Sequence, residues 1–402
     1  MLIKVRKYYK YLKNAPISLS NFIQQKFIWK KIKIPDSQLE RVYHKLKGTL
    51  KKSKKPLTLT KEDRILVDQI KTRTKEYNQN NITRTSAYYD FYIKYPEIHW
   101  TLLAHMVSRN GGWNMTDLKG DLVSDFLSDQ QIKNFFLLLE KSNAHIFQDA
   151  FPQLLLYQAC KVRNKNLFYL LPAFKVSDFM IPVWNEFYEK HNSQLLTIGL
   201  IINEQNNIEG RVIQNKQFQK QVFNSIPFKA QQLFQLTKVV LPYYSKKDKV
   251  KLAGVTVSDF HNLKERITIG KTLYAISFGI ESVHKGVVKF ANRQRHTGSR
   301  SDYWPNVFMN NPCNSDRVSK SKKVCSINTS PLIYSPFLQD AWPNQHHQFA
   351  IVDDWFTELT VLAEFSAIKT PHKYDITSEY CASLSNLMQL SILKEGGDTN
   401  EK

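Results

Sequence analysis

Glycine and proline are scarce in this chain, 13 and 15 among 402 residues, and that scarcity excludes most all-β designs. The tight turns of a sandwich or barrel draw on residues that reach positive φ or preset the turn. Here, apolar residues instead recur three and four apart over long stretches, the period of an amphipathic helix. No repeat of fixed period and no series of short alternating strands interrupts them. The sequence therefore predicts an all-α fold, a multi-helix globular bundle with a long ordered loop region near the C-terminus. With 42% apolar and 12% aromatic residues, the chain can pack a core rather than remain disordered.

The pattern divides the chain into four stretches. Residues 1–56 form a basic helical N-terminal segment, which includes a helix starting near Ser37, where Ser37 and Glu40 match a capping box. It ends in Lys51–Lys55 and Pro56, read as an exposed linker. Residues 57–292 form a helical body. Thr60 with Asp63 caps a helix through about Glu76, another covers Arg84–Lys94, and Pro96 opens a third. Ser128 and Gln131 form a further capping box. Helical periodicity continues through Leu195–Ile202 and Lys229–Leu241 to Thr272–Asn292. Residues 293–393 are loop-rich, with Pro305, Pro312, Pro331, Pro336 and Pro343, and are docked on the body by Tyr303, Trp304, Phe308, Tyr334, Phe337 and Trp342. Helices near Val352–Ala367 and Thr377–Ser391 close the fold. Residues 394–402 are a polar tail.

The net charge of +22 is uneven. Residues 1–56 hold 16 Lys and Arg against two acids, Asp36 and Glu40, so this segment carries +14 and the other 346 residues carry +8. Leu2, Val5, Tyr9 and Leu12 lie at helical spacing with Lys and Arg between them. Such a segment can rest on an anionic membrane surface, track a phosphate backbone, or pack its apolar stripe on its own protein. The start MLIKVRKYYKYLK has no apolar stretch of the secretory kind. The apolar runs are also far shorter than the ~18 residues a spanning helix needs. The expected location is the cytoplasm, with the basic segment able to touch the inner membrane face. Cys160, Cys313, Cys325 and Cys381 show no CxxC spacing and are expected to be reduced thiols. Cys313 and Cys325 share one loop-rich region and could instead close a loop or bind metal.

Two constellations gather chemistry. In the helix from Pro96, His99 lies in the middle of the apolar arc and is expected to be buried and hydrogen-bonded rather than a ligand. His105 and Arg109, four apart at the edge of the arc, can meet and face either a cleft or solvent. The helix is expected to end at Asn110-Gly111-Gly112, residues able to take φ > 0 at a C-cap. Trp113, Asn114, Thr116 and Asp117 would then build a pocket corner. The second constellation is Arg293–Pro305. Thr297, Ser299 and the amides around Gly298 could surround an oxyanion with Arg300 as a fork donor, while His296, Asp302 and Tyr303 could move protons. Alternatively, Arg300 simply pairs with Asp302.

Familiar signatures are absent. Gly270-Lys271-Thr272 matches the end of a phosphate-binding loop, but the earlier glycine is replaced by Glu265. His99 and His105, six apart, lack the helical spacing of a zinc pair. His346-His347 and Asp353-Asp354 are read as helix-start and loop residues rather than a metal cluster. No metal site is expected, and no cofactor can be named.

Asn81–Thr85 (NITRT), Pro96–Gly120 and His296–Pro305 (HTGSRSDYWP) resemble the corresponding runs of the YppC-like proteins, an uncharacterised group of endospore-forming bacteria classed as a domain of unknown function. The resemblance spans roughly residues 60–390 and leaves out the basic segment. It implies a bacterial, cytoplasmic protein and carries over no activity, cofactor or catalytic residue.

Three functional expectations follow. In the first, an anionic or phosphorylated small ligand is held by Arg109, Asn110, Trp113, Ser299, Arg300 and Tyr303, with His105 or His296 as general acid or base and Asp117 or Asp302 orienting it. This requires the two constellations to meet in space. In the second, residues 1–56 attach a non-enzymatic protein to nucleic acid or an anionic membrane. In the third, both constellations are a buried network that fixes helix ends and loop.

Overall fold

A computed structural model describes residues 32–51, 57–223, 238–257, 259–311, 325, 333–349, 353–366, 368, 371 and 373–397. The basic helix expected at residues 2–13, the linker at 52–56, Cys313 and residues 398–402 lie outside the described residues. The fold is mostly helical. Helix α1 (Asp36–Lys51) precedes α2 (Lys61–Tyr77), which starts at the anticipated capping box: Asp63 N donates to Thr60 Oγ1 (3.1 Å), and Thr60 N to Asp63 Oδ2 (3.0 Å). Helix α3 (Asn81–Lys94) starts at a second reciprocal box, Asn80 with Thr83.

Helix α4 (His99–Asp117) passes straight through Asn110-Gly111-Gly112, where a C-cap was expected. The reason is a close approach of neighbours. A Cβ on Gly112 would lie 2.4 Å from Asn81 Oδ1 and 2.6 Å from His296 Nε2, and one on Gly111 would lie 2.8 Å from Asn143 Nδ2. These glycines serve packing against other segments, at the usual helix-propensity cost of about 1 kcal/mol each.

Helix α5 (Asp129–Arg163) is 35 residues long, is capped by the Ser128/Gln131 box and carries Pro152 inside. It is followed by α6 (Met180–Lys190) and α7 (Ser193–Ile208). Strands replace the C-terminal end of the helix expected over 229–241. Strand β1 (Lys238–Tyr244) pairs antiparallel with β2 (Val250–Thr256), in register from Lys238↔Thr256 to Tyr244↔Val250. A short apolar run such as VVLPYY fits either state by periodicity, and its β-branched and aromatic residues favour the strand. The expected helix at 272–292 is two helices, α8 (Leu263–Gly279) and α9 (Glu281–Arg293), broken at Ile280, whose backbone is extended.

Described parts of the later loops pack on the helices, with Trp342 stacked on Phe136 and Tyr303 edge-on to Trp113. Strands β3 (Phe308–Met309) and β4 (Ile333–Tyr334) form a two-residue parallel ladder. The closing stretch is a 3₁₀ turn, Leu359–Phe365, rather than a full helix, followed by α10 (Thr377–Gly397). One contiguous core runs from α1 to α10 and includes the fully buried Trp100, Trp113 and Trp184 together with Tyr303 and Tyr380. Among the described residues no helix is long and apolar enough to cross a membrane.

The cysteines correct the expectation of reduced thiols. Cys325 and Cys381 form a disulfide, with Cα atoms 6.1 Å apart, that ties the loop region to α10; Cys160 is free and buried. The pairing was hidden because the partners are 56 residues apart and share no spacing motif.

Candidate functional site

The two constellations, almost 200 residues apart in sequence, come together at the C-terminal half of α4. Arg300, in a 3₁₀ turn (Arg300–Asp302), meets Asp117 in a bidentate pair: Nε to Oδ1 at 2.8 Å and Nη2 to Oδ2 at 2.6 Å. Nη1 donates to the hydroxyls of Tyr303 (2.8 Å) and Tyr380 (2.5 Å), and Nη2 also reaches Asn114 Oδ1 (3.1 Å). Arg300 is 2% exposed and Asp117 1%. Burial drives the Asp117 carboxyl above its usual range against the pull of Arg300. Arg300, whose charge burial opposes, is held cationic by Asp117 and the two tyrosines. Its partner is thus Asp117 rather than the nearby Asp302.

Asp302 fills the place where an external anion was expected. Its carboxylate accepts from Thr297 Oγ1 (2.6 Å), Thr297 N (3.1 Å) and Trp113 Nε1 (3.2 Å), with His296 Nδ1 at 3.3 Å. Burial opposes its charge, yet His296, Thr297 and Arg109 together hold it below the ordinary carboxylate range. The amides of Ser299 and Arg300 donate to Thr297 Oγ1 (3.2 Å) and Ser335 Oγ (2.8 Å). Ser299 Oγ donates to the Ser335 carbonyl, and Thr116 Oγ1 to the carbonyl of Gly298, which sits at φ +84. The loop is closed on its own oxygens.

The histidines are equally enclosed. Asn81 Nδ2 donates to the Ser108 carbonyl (2.9 Å), which turns its Oδ1 toward His296 Nε2 at 2.8 Å. Nε2 therefore carries a ring hydrogen. Burial lowers the pKa of His296, with the hydrogen bond to and charge of Asp302 opposing, and the Nδ1 contact is the longest of the four to that carboxylate. His105 Nδ1 lies 2.8 Å from the Thr85 carbonyl, and Arg109 Nε donates to His105 Nε2 at 3.0 Å. Both residues are buried, so neither faces solvent. Burial, then the Arg109 charge, pushes His105 well below the ordinary imidazole range. Arg109 donates through Nη2 to the Gln294 carbonyl and lies 5.1 Å over the Phe290 ring, but its buried Nη1 has no partner among the described residues. Burial lowers it to about 10. Asn110 clamps β1, donating to the Val240 carbonyl (2.7 Å) and accepting from Val240 N (2.8 Å). His99 is half-buried, stacked on Phe278 and bonded to Tyr274, and lies outside the cluster. His347 turns to Glu140, and Asp354 to Ser177 and Asp178.

Ser108 and Asn143, both bonded to Asn81, also line a cavity of about 150 Å³ between α3, α4, α5, α7 and α8. Its walls are mostly apolar, with Leu103, Ala104, Ile269 and Leu273 among them. Glu204 of α7 lines it and accepts from Trp100 Nε1 (3.1 Å) and Gln205 Nε2 (3.1 Å). Burial pushes this carboxyl up to about 7. The buried Tyr88 hydroxyl, also on the cavity wall, has no hydrogen-bond partner among the described residues. Sequence reasoning missed this cavity. Glu204 follows the apolar run Leu195–Ile202, where an acid reads as a solvated helix flank. An available signal was Trp100, whose indole N–H requires an acceptor when buried.

With this geometry established, comparison with known proteins adds a family. Residues 76–385 match the family model described as "Protein of unknown function (DUF2515)". The uncharacterized protein YppC of Bacillus subtilis (strain 168) is 38% identical over 323 residues, covering 79% of this chain and 91% of the relative. No solved structure matches.

Proposed function

Since the chain belongs to the DUF2515 family of proteins of unknown function, we propose a function from its own residues: a non-enzymatic protein that attaches to an anionic membrane surface through residues 1–56. The observation that carries this reading is the +14 charge of that segment, with Leu2, Val5, Tyr9 and Leu12 at helical spacing among its cations. A phosphate-tracking arm needs the charge alone, whereas an apolar stripe suits the headgroup–acyl boundary. The buried network supports the same reading from the other side. Each guanidinium N–H of Arg300 is committed within the protein, so the cluster acts as a scaffold rather than a ligand site. Attachment at the cytoplasmic face of the inner membrane would require Cys325 and Cys381 to be reduced there. Cys325–Cys381 tests that placement, because a reducing compartment opposes the bond. Free thiols in rapidly quenched cell extracts agree with it, and an intact bond moves the protein to the outer face.

Full-length protein in which Lys4, Arg6, Lys7, Lys10 and Lys13 are replaced by Gln tests the attachment. At about 1 kcal/mol per surface cation, the variant loses binding to anionic vesicles by two orders of magnitude or more. Unchanged binding overturns the proposal.

A second reading rests on one atom. The unpartnered, buried Nη1 of Arg109, beside His105, favours a small anion bound within the network, with His105 or His296 as proton carrier. A phosphate-dependent rise in melting temperature that is lost in Arg109→Lys supports it, and no rise removes it.

A further inference from the structure

The cavity between α4, α7 and α8 carries an inference independent of membrane attachment. Three observations meet there. Its volume, about 150 Å³, is that of cavities that admit a benzene-sized molecule. Its walls are mostly apolar, but one carboxylate, the half-buried Glu204, lines it and among the described residues is hydrogen-bonded only to neutral donors, Trp100 and Gln205. Arg266, the cation on the same wall, is already paired with Glu209 and donates to Gln205 Oε1 and to the carbonyls of Phe260 and His261. Asp149, the other acid acting on Glu204, adds negative rather than positive potential. The third observation is the Tyr88 hydroxyl, 3% exposed as a residue and without a partner among the described residues.

A carboxylate drawn partly out of water with no cation beside it is costly, as is a buried hydroxyl without a partner. An ammonium group answers both, because Glu204 and Tyr88 Oη can each accept one of its hydrogens. We propose that this cavity is a binding site for a small hydrophobic amine, with its ring or branched chain against Leu103, Ile269 and Leu273 and its cationic head on Glu204 and Tyr88. Ala104 and Val107, one turn along α4, set the size limit, and the wall shared with Ser108 and Asn143 connects an occupied site to the polar network.

The test uses full-length protein, calorimetric titration and thermal shift, with benzylamine and its neutral counterpart benzyl alcohol as probes. At pH 8, benzylamine is expected to bind at least tenfold tighter than benzyl alcohol. In Glu204→Gln the preference for the amine disappears, and in Ala104→Leu, which fills the cavity, both probes lose binding. In the wild type, amine affinity rises between pH 6 and 8 as Glu204 ionises, while the alcohol shows no such rise. The pH profile needs no variant, so it stands even where Glu204→Gln fails to fold. Equal or tighter binding of the alcohol, an amine preference that survives Glu204→Gln, or absence of binding by both probes to the folded wild type each overturns the proposal.

Discussion

Arg300→Ala tests whether the cluster at the end of α4 is a scaffold. The substitution leaves Asp117, 1% exposed, without the bidentate partner that holds it at 2.8 and 2.6 Å. Orphaning a buried charge of this kind costs about 3–5 kcal/mol. The tyrosines add little, because Tyr303 and Tyr380 still hydrogen-bond to each other at 2.7 Å. The expected loss of about 3–5 kcal/mol is a large part of the ~5–15 kcal/mol typical of a whole domain. Urea unfolding followed by far-UV circular dichroism reads it as a lower midpoint with an unchanged slope. The deficit also depends on pH. Without Arg300 the Asp117 carboxyl rises further, so the variant regains about 1.4 kcal/mol per pH unit below its new pKa. The pair Arg300→Met with Asp117→Leu removes both charges and recovers more than half of the loss. A deficit below 1 kcal/mol for Arg300→Ala, or one that does not change with pH, refutes the scaffold reasoning.

Other expected outcomes follow from single features. Gly112→Ala destabilises by about 1–3 kcal/mol in the same unfolding assay, because its Cβ meets Asn81 and His296. Gly48→Ala in α1, with nothing within 4 Å of the new Cβ, is instead stabilising by up to about 1 kcal/mol. Cys325→Ser opens the loop closed by a bond spanning 56 residues. This costs up to about 4 kcal/mol by loop entropy under oxidising conditions and nothing once both proteins are reduced. His145, pushed down by burial to about 3, is held neutral in the folded state. Its contribution is complete above the unfolded value of about 6.5 and falls by about 1.4 kcal/mol per pH unit below it. The stability advantage of wild type over His145→Phe therefore shrinks between pH 6.5 and 4.5. Glu204 and Asp149, raised by burial to about 7, act in the opposite sense, so stability they give at low pH is lost as pH rises through 7.

What the sequence revealed depended on how local the cause was. The Thr60–Asp63 and Ser128–Gln131 boxes were legible because a cap is decided within four residues. The glycines at 111 and 112 were misread for the same reason: locally they mark a helix end, and only Asn81, Asn143 and His296, from elsewhere in the chain, explain them as points of close approach. Both polar constellations were visible as residue types. Their pairing was not, since Arg300 lies two residues from Asp302 in sequence but bonds Asp117 at a separation of 183. Cys325 with Cys381, and the cavity around Glu204, were hidden by the same rule. Each is assembled by packing between distant helices, and its members look ordinary alone.

Attachment of residues 1–56 to an anionic membrane is read by co-sedimentation of the full-length chain with vesicles. Phosphatidylglycerol-containing vesicles, neutral phosphatidylcholine vesicles and a competing DNA duplex are compared at 50 and 200 mM salt. Binding to the anionic vesicles alone, weakened by salt as the screening length shortens and outlasting an equal phosphate concentration of DNA, is the predicted result. Equal binding to neutral vesicles, or complete displacement by DNA, contradicts it.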